Sequence, residues 1–113
     1  MLEEIINHYK HPRHKKILVD WTHKAEADNP MCGDDIIMYI KCNNDIIIQA
    51  SFEGSGCSIS QGCADIMCER IIGLNKNDLN NLNFDLFDLE ELPISKSRHK
   101  CATLSLNALK GIK

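Results

Sequence analysis

Two isoleucine-rich runs, Ile36 to Lys41 and Asp45 to Phe52, stand on either side of Asn43-Asn44. Few patterns constrain a short chain more. β-branched residues favour the extended backbone, and asparagine tolerates the left-handed conformation that a tight turn requires. The pattern predicts a β-hairpin. The hairpin then runs into Phe52-Glu53-Gly54-Ser55-Gly56-Cys57, where two glycines bend the chain, and a helix is expected from Ser58 or Ser60 to Ile72, closed by Gly73. Along that helix Ile59, Cys63, Ile66, Met67 and Arg70 fall on one side.

Other elements follow the same rules. Leu2, Ile5, Ile6 and Tyr9 share one helical face, so a short helix is expected over about Leu2 to Lys10, stopped by Pro12. Ile17-Leu18-Val19 is apolar and largely β-branched and reads as the start of a strand. The polar stretch from Thr22 to Asn29 reads as a loop or irregular edge. Asn75 to Asn83 is turn-rich, and Asp78 to Asp88 adds a turn of helix with Leu79 and Leu82 inward. Ser95-Lys96-Ser97 is an exposed segment, and a last helix is expected from about Cys101 to Leu109. Strands first and helices later give an α+β class: a small, mainly antiparallel sheet with helices packed on one face. At 113 residues, positions 1–113 read as a single domain.

The chemistry concentrates in Asn29-Pro30-Met31-Cys32-Gly33-Asp34, in Gly54-Ser55-Gly56-Cys57-Ser58-Ile59-Ser60, and in Arg98-His99-Lys100-Cys101-Ala102-Thr103-Leu104. Cys32 and Asp34 are two residues apart, which in extended structure turns both side chains to one side. Cys57 and Cys101 are both expected to open helices, where the dipole favours a thiolate. Three thiolates and a carboxylate make the four donors of a tetrahedral zinc site, and thiolates also hold iron–sulfur clusters. The rival reading is of unconnected buried cysteines, since no CxxC pair is present.

Cys63 and Cys68 would lie about 140° apart around a helix and so would not chelate one ion together. Cys63 reads as core-facing, Cys68 as a partly exposed bystander and Cys42 as incidental. His8, His11 and His14 recur every third residue, but Pro12 breaks the helix that would align them. His99 stands two residues from Cys101 and is otherwise a solvent-facing loop histidine.

A net charge of −3 provides no basic surface for nucleic acid. Charge is nonetheless uneven. Lys10, Arg13, Lys15 and Lys16 with His8, His11 and His14 form one basic cluster, and Arg98-His99-Lys100 forms another. Asp85, Asp88, Glu90 and Glu91 form an acidic stretch between them. These read as solvated surface or as a docking patch for a protein partner. No apolar run reaches the ~20 residues of a membrane span. The N-terminus has no signal-peptide pattern, so the six cysteines are expected to be reduced thiols in the cytoplasm, with a disulfide framework as the alternative.

The three cysteine motifs, with Tyr9-Lys10-His11-Pro12-Arg13, resemble the IscU/SufU/NifU N-terminal family of iron–sulfur assembly proteins, over about Ile5 to Lys110. The resemblance implies an α+β fold with the cluster site at one end of a short sheet. It implies Cys32, Asp34, Cys57 and Cys101 as ligands of zinc or of a transient 2Fe–2S cluster, and Cys32 or Cys101 as the acceptor of persulfide sulfur. It also implies two kinds of partner: a pyridoxal-phosphate cysteine desulfurase and apo iron–sulfur acceptor proteins. Lys100-Cys101-Ala102-Thr103-Leu104 is similar to the SufU branch, whereas Glu91-Leu92-Pro93 and the absence of an inserted segment are similar to IscU. Scaffold, sulfurtransferase and structural zinc module all remain open at this level.

Overall fold

The computed structural model describes residues 2–30, 33–82 and 94–112. Helix α1 (Leu2–Lys10) leads to a meander of β1 (His23–Asn29), β2 (Asp34–Asn43) and β3 (Ile46–Ser55), then α2 (Ser58–Ile71), a 3₁₀ helix (Lys76–Asn81), α3 (Lys96–Ala102) and α4 (Leu104–Leu109). The sheet is antiparallel throughout, in the order β1-β2-β3. Helix α2 packs on β3, α4 on β1 and β2, and α1 on α2. This is the expected α+β layering.

The hairpin turns through Asn44 and Asp45, both at positive φ (52° and 69°), the two-residue geometry that suits the right-handed twist of the strands. Ile36, Met38, Ile40, Ile47, Ala50 and Phe52 face the helices from β2 and β3. Helix α2 is buried on nearly every side, from Ile59 to Cys68 and again at Ile71. A Cβ at Gly62 would collide with the Ile5 carbonyl oxygen, so glycine there sets how closely α1 crosses α2.

Several expectations fail, each for a physical reason. Ile17-Leu18-Val19 is not a strand: Leu18 is buried, while Ile17 is 61% and Val19 91% exposed. The polar stretch read as a loop or irregular edge is a regular edge strand, β1. It alternates, with His23, Ala25, Ala27 and Asn29 turned inward and Lys24, Glu26 and Asp28 turned to water. Its inner face is small because α4 lies against it, and alanine is a weak strand signal. On α1 it is His8 that is buried with Ile5, while Tyr9 is exposed. On α2, Cys68 is wholly buried and not the partly exposed bystander expected, and Arg70 is exposed although it was read on one side with the buried Ile59, Cys63, Ile66 and Met67.

The last helix is two helices. They break at Thr103 (φ −98°, ψ 5°), whose hydroxyl donates to the His99 carbonyl at 3.0 Å, a back-bond that bends helices. Cys101 therefore sits in the last turn of α3, at the negative end of its dipole, and opens no helix. The Asp78–Asp88 helical turn is present as the 3₁₀ helix, with Leu79 buried. Its remainder, together with Asp85, Asp88, Glu90 and Glu91, lies outside the described residues. No helix among the described residues is long and apolar enough to cross a membrane.

Candidate metal centre

At one end of the sheet three elements converge. Asp34 opens β2, Cys57 stands immediately before α2, and Cys101 reaches in from α3. One ligand atom from each lies within 4.8 Å of the other two. Cys32 lies outside the described residues.

Gly56 is at φ +144°, and a Cβ there would collide with Asp34 Oδ1. The missing side chain lets the β3–α2 connection pass against the carboxylate, and the Cys57 amide donates to Asp34 Oδ1 at 2.8 Å. Cys57 Sγ then lies 3.9 Å from Asp34 Oδ2 and 3.9 Å from Ser60 Oγ. From β1, which pairs Asn29 with Asp34, the Asn29 side-chain nitrogen Nδ2 lies 3.9 Å from Cys101 Sγ. Asp34 is buried, Cys101 is fully buried and Cys57 half-buried.

Burial disfavours the Cys57 thiolate, and the Asp34 charge adds to that. The backbone at Ser60 and Ile59 and the Cys101 thiol hold it by hydrogen bonding, and the thiol lies below its ordinary range. Cys63, one layer deeper, is pushed up to about 12 by burial and by the Cys57 charge. Burial, with the charges of Asp65 and Glu69, raises Cys68 well above the ordinary thiol. Cys42 sits beside a bulge near the far end of β2, its amide donating to Thr22 Oγ1. His99 is half-buried on α3 and belongs to neither group of clustered donors. The five described cysteines are free thiols.

The donor set suits zinc. Metal–sulfur bonds of about 2.3 Å and metal–oxygen bonds of about 2.0 Å put tetrahedral donors roughly 3.5–3.8 Å apart. The 3.9 Å from Cys57 Sγ to Asp34 Oδ2 is close to that spacing. Asp34, Cys57 and Cys101 would supply three donors. Asn29 opens the first motif and Ser60 closes the second, one helical turn past Cys57, but sequence reasoning gave neither a role of its own.

The chain is similar to several known proteins. The chain is 39% identical to the zinc-dependent sulfurtransferase SufU of Bacillus subtilis, over 127 aligned positions covering 96% of this chain and 86% of that protein. It is 32% identical to the iron–sulfur cluster assembly scaffold protein IscU of Thermotoga maritima, over 125 positions covering 96% and 88%. Both alignments are longer than this chain, so SufU and IscU relatives alike carry residues without counterpart here. Among solved structures, a Fervidobacterium islandicum AW-1 protein assigned as an iron–sulfur cluster assembly scaffold for the SUF system superimposes with a TM-score of 0.77 at 25% identity, covering 96% of this chain and 92% of that one. An N-terminal NifU-like protein from Brucella abortus, at 15% identity and a TM-score of 0.75, has the same fold. Residues 2–112 match the model of the NifU-like N-terminal domain, and the chain belongs to that family.

Proposed function

We propose that this protein is an iron–sulfur cluster assembly scaffold that accepts persulfide sulfur from a pyridoxal-phosphate cysteine desulfurase and holds the nascent cluster on Cys32, Asp34, Cys57 and Cys101. The observation that carries this reading is the convergence of Asp34, Cys57 and Cys101 from three separate elements. A chance set of core cysteines would not include a buried carboxylate bonded to the amide of one of them. The setting is cytoplasmic, and apo iron–sulfur proteins receive the product.

Sulfur transfer is thiol exchange. An acceptor thiolate attacks the outer sulfur of the desulfurase persulfide. A new S–S bond forms, the old one breaks, and the desulfurase cysteine leaves as thiolate. Of the two candidate acceptors, Cys101 is fully buried, which counts against it as the first acceptor. Asp34 is a harder donor than the thiolates and matches cluster iron less well, so its corner opens most easily for release.

A second reading has its own support. The relative at 39% identity is a zinc-dependent sulfurtransferase, and the donor set suits zinc. When bound, zinc would hold the thiols deprotonated and ordered. Anaerobic incubation with the desulfurase, excess cysteine and ferrous iron separates the two. A scaffold develops cluster absorbance on the chain itself. Stimulated alanine production without chain-bound cluster gives the sulfurtransferase, and indifferent turnover removes both.

A further inference from the structure

Cys57 and Cys101 reach the metal centre from opposite ends of their helices. Cys57 stands just before α2, where a helix presents free amides and the positive end of its dipole. Cys101 lies in the last turn of α3, where a helix presents carbonyls and the negative end. A charged sulfur at Cys101 therefore depends more on a donor from outside its own helix. Each sulfur has a buried polar side chain beside it. Asn29, 72 residues away in sequence and 8% exposed, brings Nδ2 to 3.9 Å from Cys101 Sγ. Its position is fixed twice over: the strand register pairs it with Asp34, and Pro30 holds the residue before it in extended backbone.

Ser60 is wholly buried, with Oγ 3.9 Å from Cys57 Sγ and 3.0 Å from the Cys57 carbonyl oxygen. Gln61 Nε2 approaches the same hydroxyl oxygen at 3.5 Å. Ser60 thus faces two acceptors on Cys57 with one proton. While Cys57 keeps its S–H, that proton goes to the carbonyl and the thiol donates to Ser60 Oγ. Once the thiol has become a metal ligand its own proton is gone, and rotation of the hydroxyl alone turns Ser60 into a donor to sulfur. A neutral thiol is a weak acceptor, whereas bonds to a charged acceptor are shorter and roughly twice as strong. Both 3.9 Å contacts are therefore set to tighten when the sulfurs carry charge.

We propose that Asn29 and Ser60 are positioning residues of the cysteine centre, which donate hydrogen bonds to the ligand sulfurs of Cys101 and Cys57 and hold them as thiolates. Donors aimed at ligand sulfur tune how tightly a metal or cluster is held and how readily the sulfur reacts. Asn29 carries the larger share, because it offsets the unfavourable end of α3, while Cys57 has the amides of α2 beside it. The inference rests on the cysteine centre proposed above, and not on whether that centre assembles clusters or passes sulfur on.

The test uses the full chain loaded anaerobically with cobalt(II) in place of zinc. Sulfur-to-cobalt charge-transfer bands report the energy of the sulfur lone pairs, which hydrogen-bond donors lower. Ser60→Ala removes one oxygen, Asn29→Ala removes the amide, and Asn29→Asp keeps the shape but puts an acceptor where the donor was. All three should move the bands to longer wavelength, Ser60→Ala least and Asn29→Asp most. Zinc affinity, read by competition with a chelator, should fall about tenfold or more in Asn29→Asp and less in Ser60→Ala. A role in folding alone would lower the thermal midpoint and leave the bands of the loaded protein in place. Wild-type band positions in either Ser60→Ala or Asn29→Ala overturn the proposal. Absence of sulfur bands from the wild-type protein would remove the cysteine centre itself, and the proposal with it.

Discussion

The two ends of α2 solve similar problems with different chemistry. Each has a buried aspartate that accepts backbone N–H groups: Asp34 from Cys57, and Asp65 from Arg13 and His14. At the N-terminal end the surrounding groups are thiols, weak hydrogen-bonding partners at 3.9 Å. At the C-terminal end they are imidazole and guanidinium, with His8 Nδ1 2.6 Å from Asp65 and Arg13 Nη1 2.8 Å from His8 Nε2. A site meant to take in and give up soft cargo is left loosely bonded. A site that holds elements together is closely bonded. The difference fits the proposal of exchange at Cys57 and cohesion at Asp65.

The largest expected effect tests cohesion. Asp65→Ala removes the partner of His8 and of two amides, leaving buried groups unpaired, and should cost about 3–5 kcal/mol in denaturant unfolding. Asp34→Ala should cost clearly less. Equal losses would erase the distinction between the two ends. Asp34→Ala has its own signature: a reconstituted cluster should decay several-fold more slowly in air or chelator, because the hard, labile donor is gone. Faster decay would contradict the role given to Asp34.

Thiol reactivity sharpens the contrast inside α2. In the metal-free protein near neutral pH, Cys57 should be alkylated first among Cys57, Cys63 and Cys68. Its thiol is held low, while theirs are raised by burial. Peptide mass mapping over time reads the order. A smaller effect concerns the partner. Arg98→Glu with Lys96→Glu, both at exposed positions on α3, should slow desulfurase binding a few-fold at low salt and leave metal content unchanged.

The smallest is alkaline. Tyr39 is raised to about 12 by its hydrogen bond to Glu53 and by burial, and Cys63 to about 12 by burial. Both favour the protonated form in the folded state. Their stabilising contribution is complete below the unfolded values of 9 and 10 and is lost as pH rises toward 12. Thermal midpoints should be insensitive to these groups up to about pH 9 and decline above it.

The hairpin, α1 and α2 were legible because isoleucine runs, helical spacing and glycine punctuation are local signals. The edge strand β1 was not, because its inner face is alanine, chosen by the neighbouring α4. Cys57 was read correctly at a helix start, but Cys101 was not, since the break at Thr103 depends on one hydroxyl bonding back to His99. The Asp65 cluster was missed altogether. Helical spacing separates His8 from His14 across Pro12, and only the packing of α1 on α2 returns both to Glu69.

The central claim is that Cys32, Asp34, Cys57 and Cys101 form one site from which Cys42, Cys63 and Cys68 are excluded. Metal content after zinc loading and desalting, measured across single alanine variants of all six cysteines, tests it directly. Loss of bound zinc in Cys32→Ala, Cys57→Ala and Cys101→Ala, with retention in Cys42→Ala, Cys63→Ala and Cys68→Ala, is the predicted result. Equal loss in the two groups, or retention in Cys57→Ala and Cys101→Ala, would contradict it.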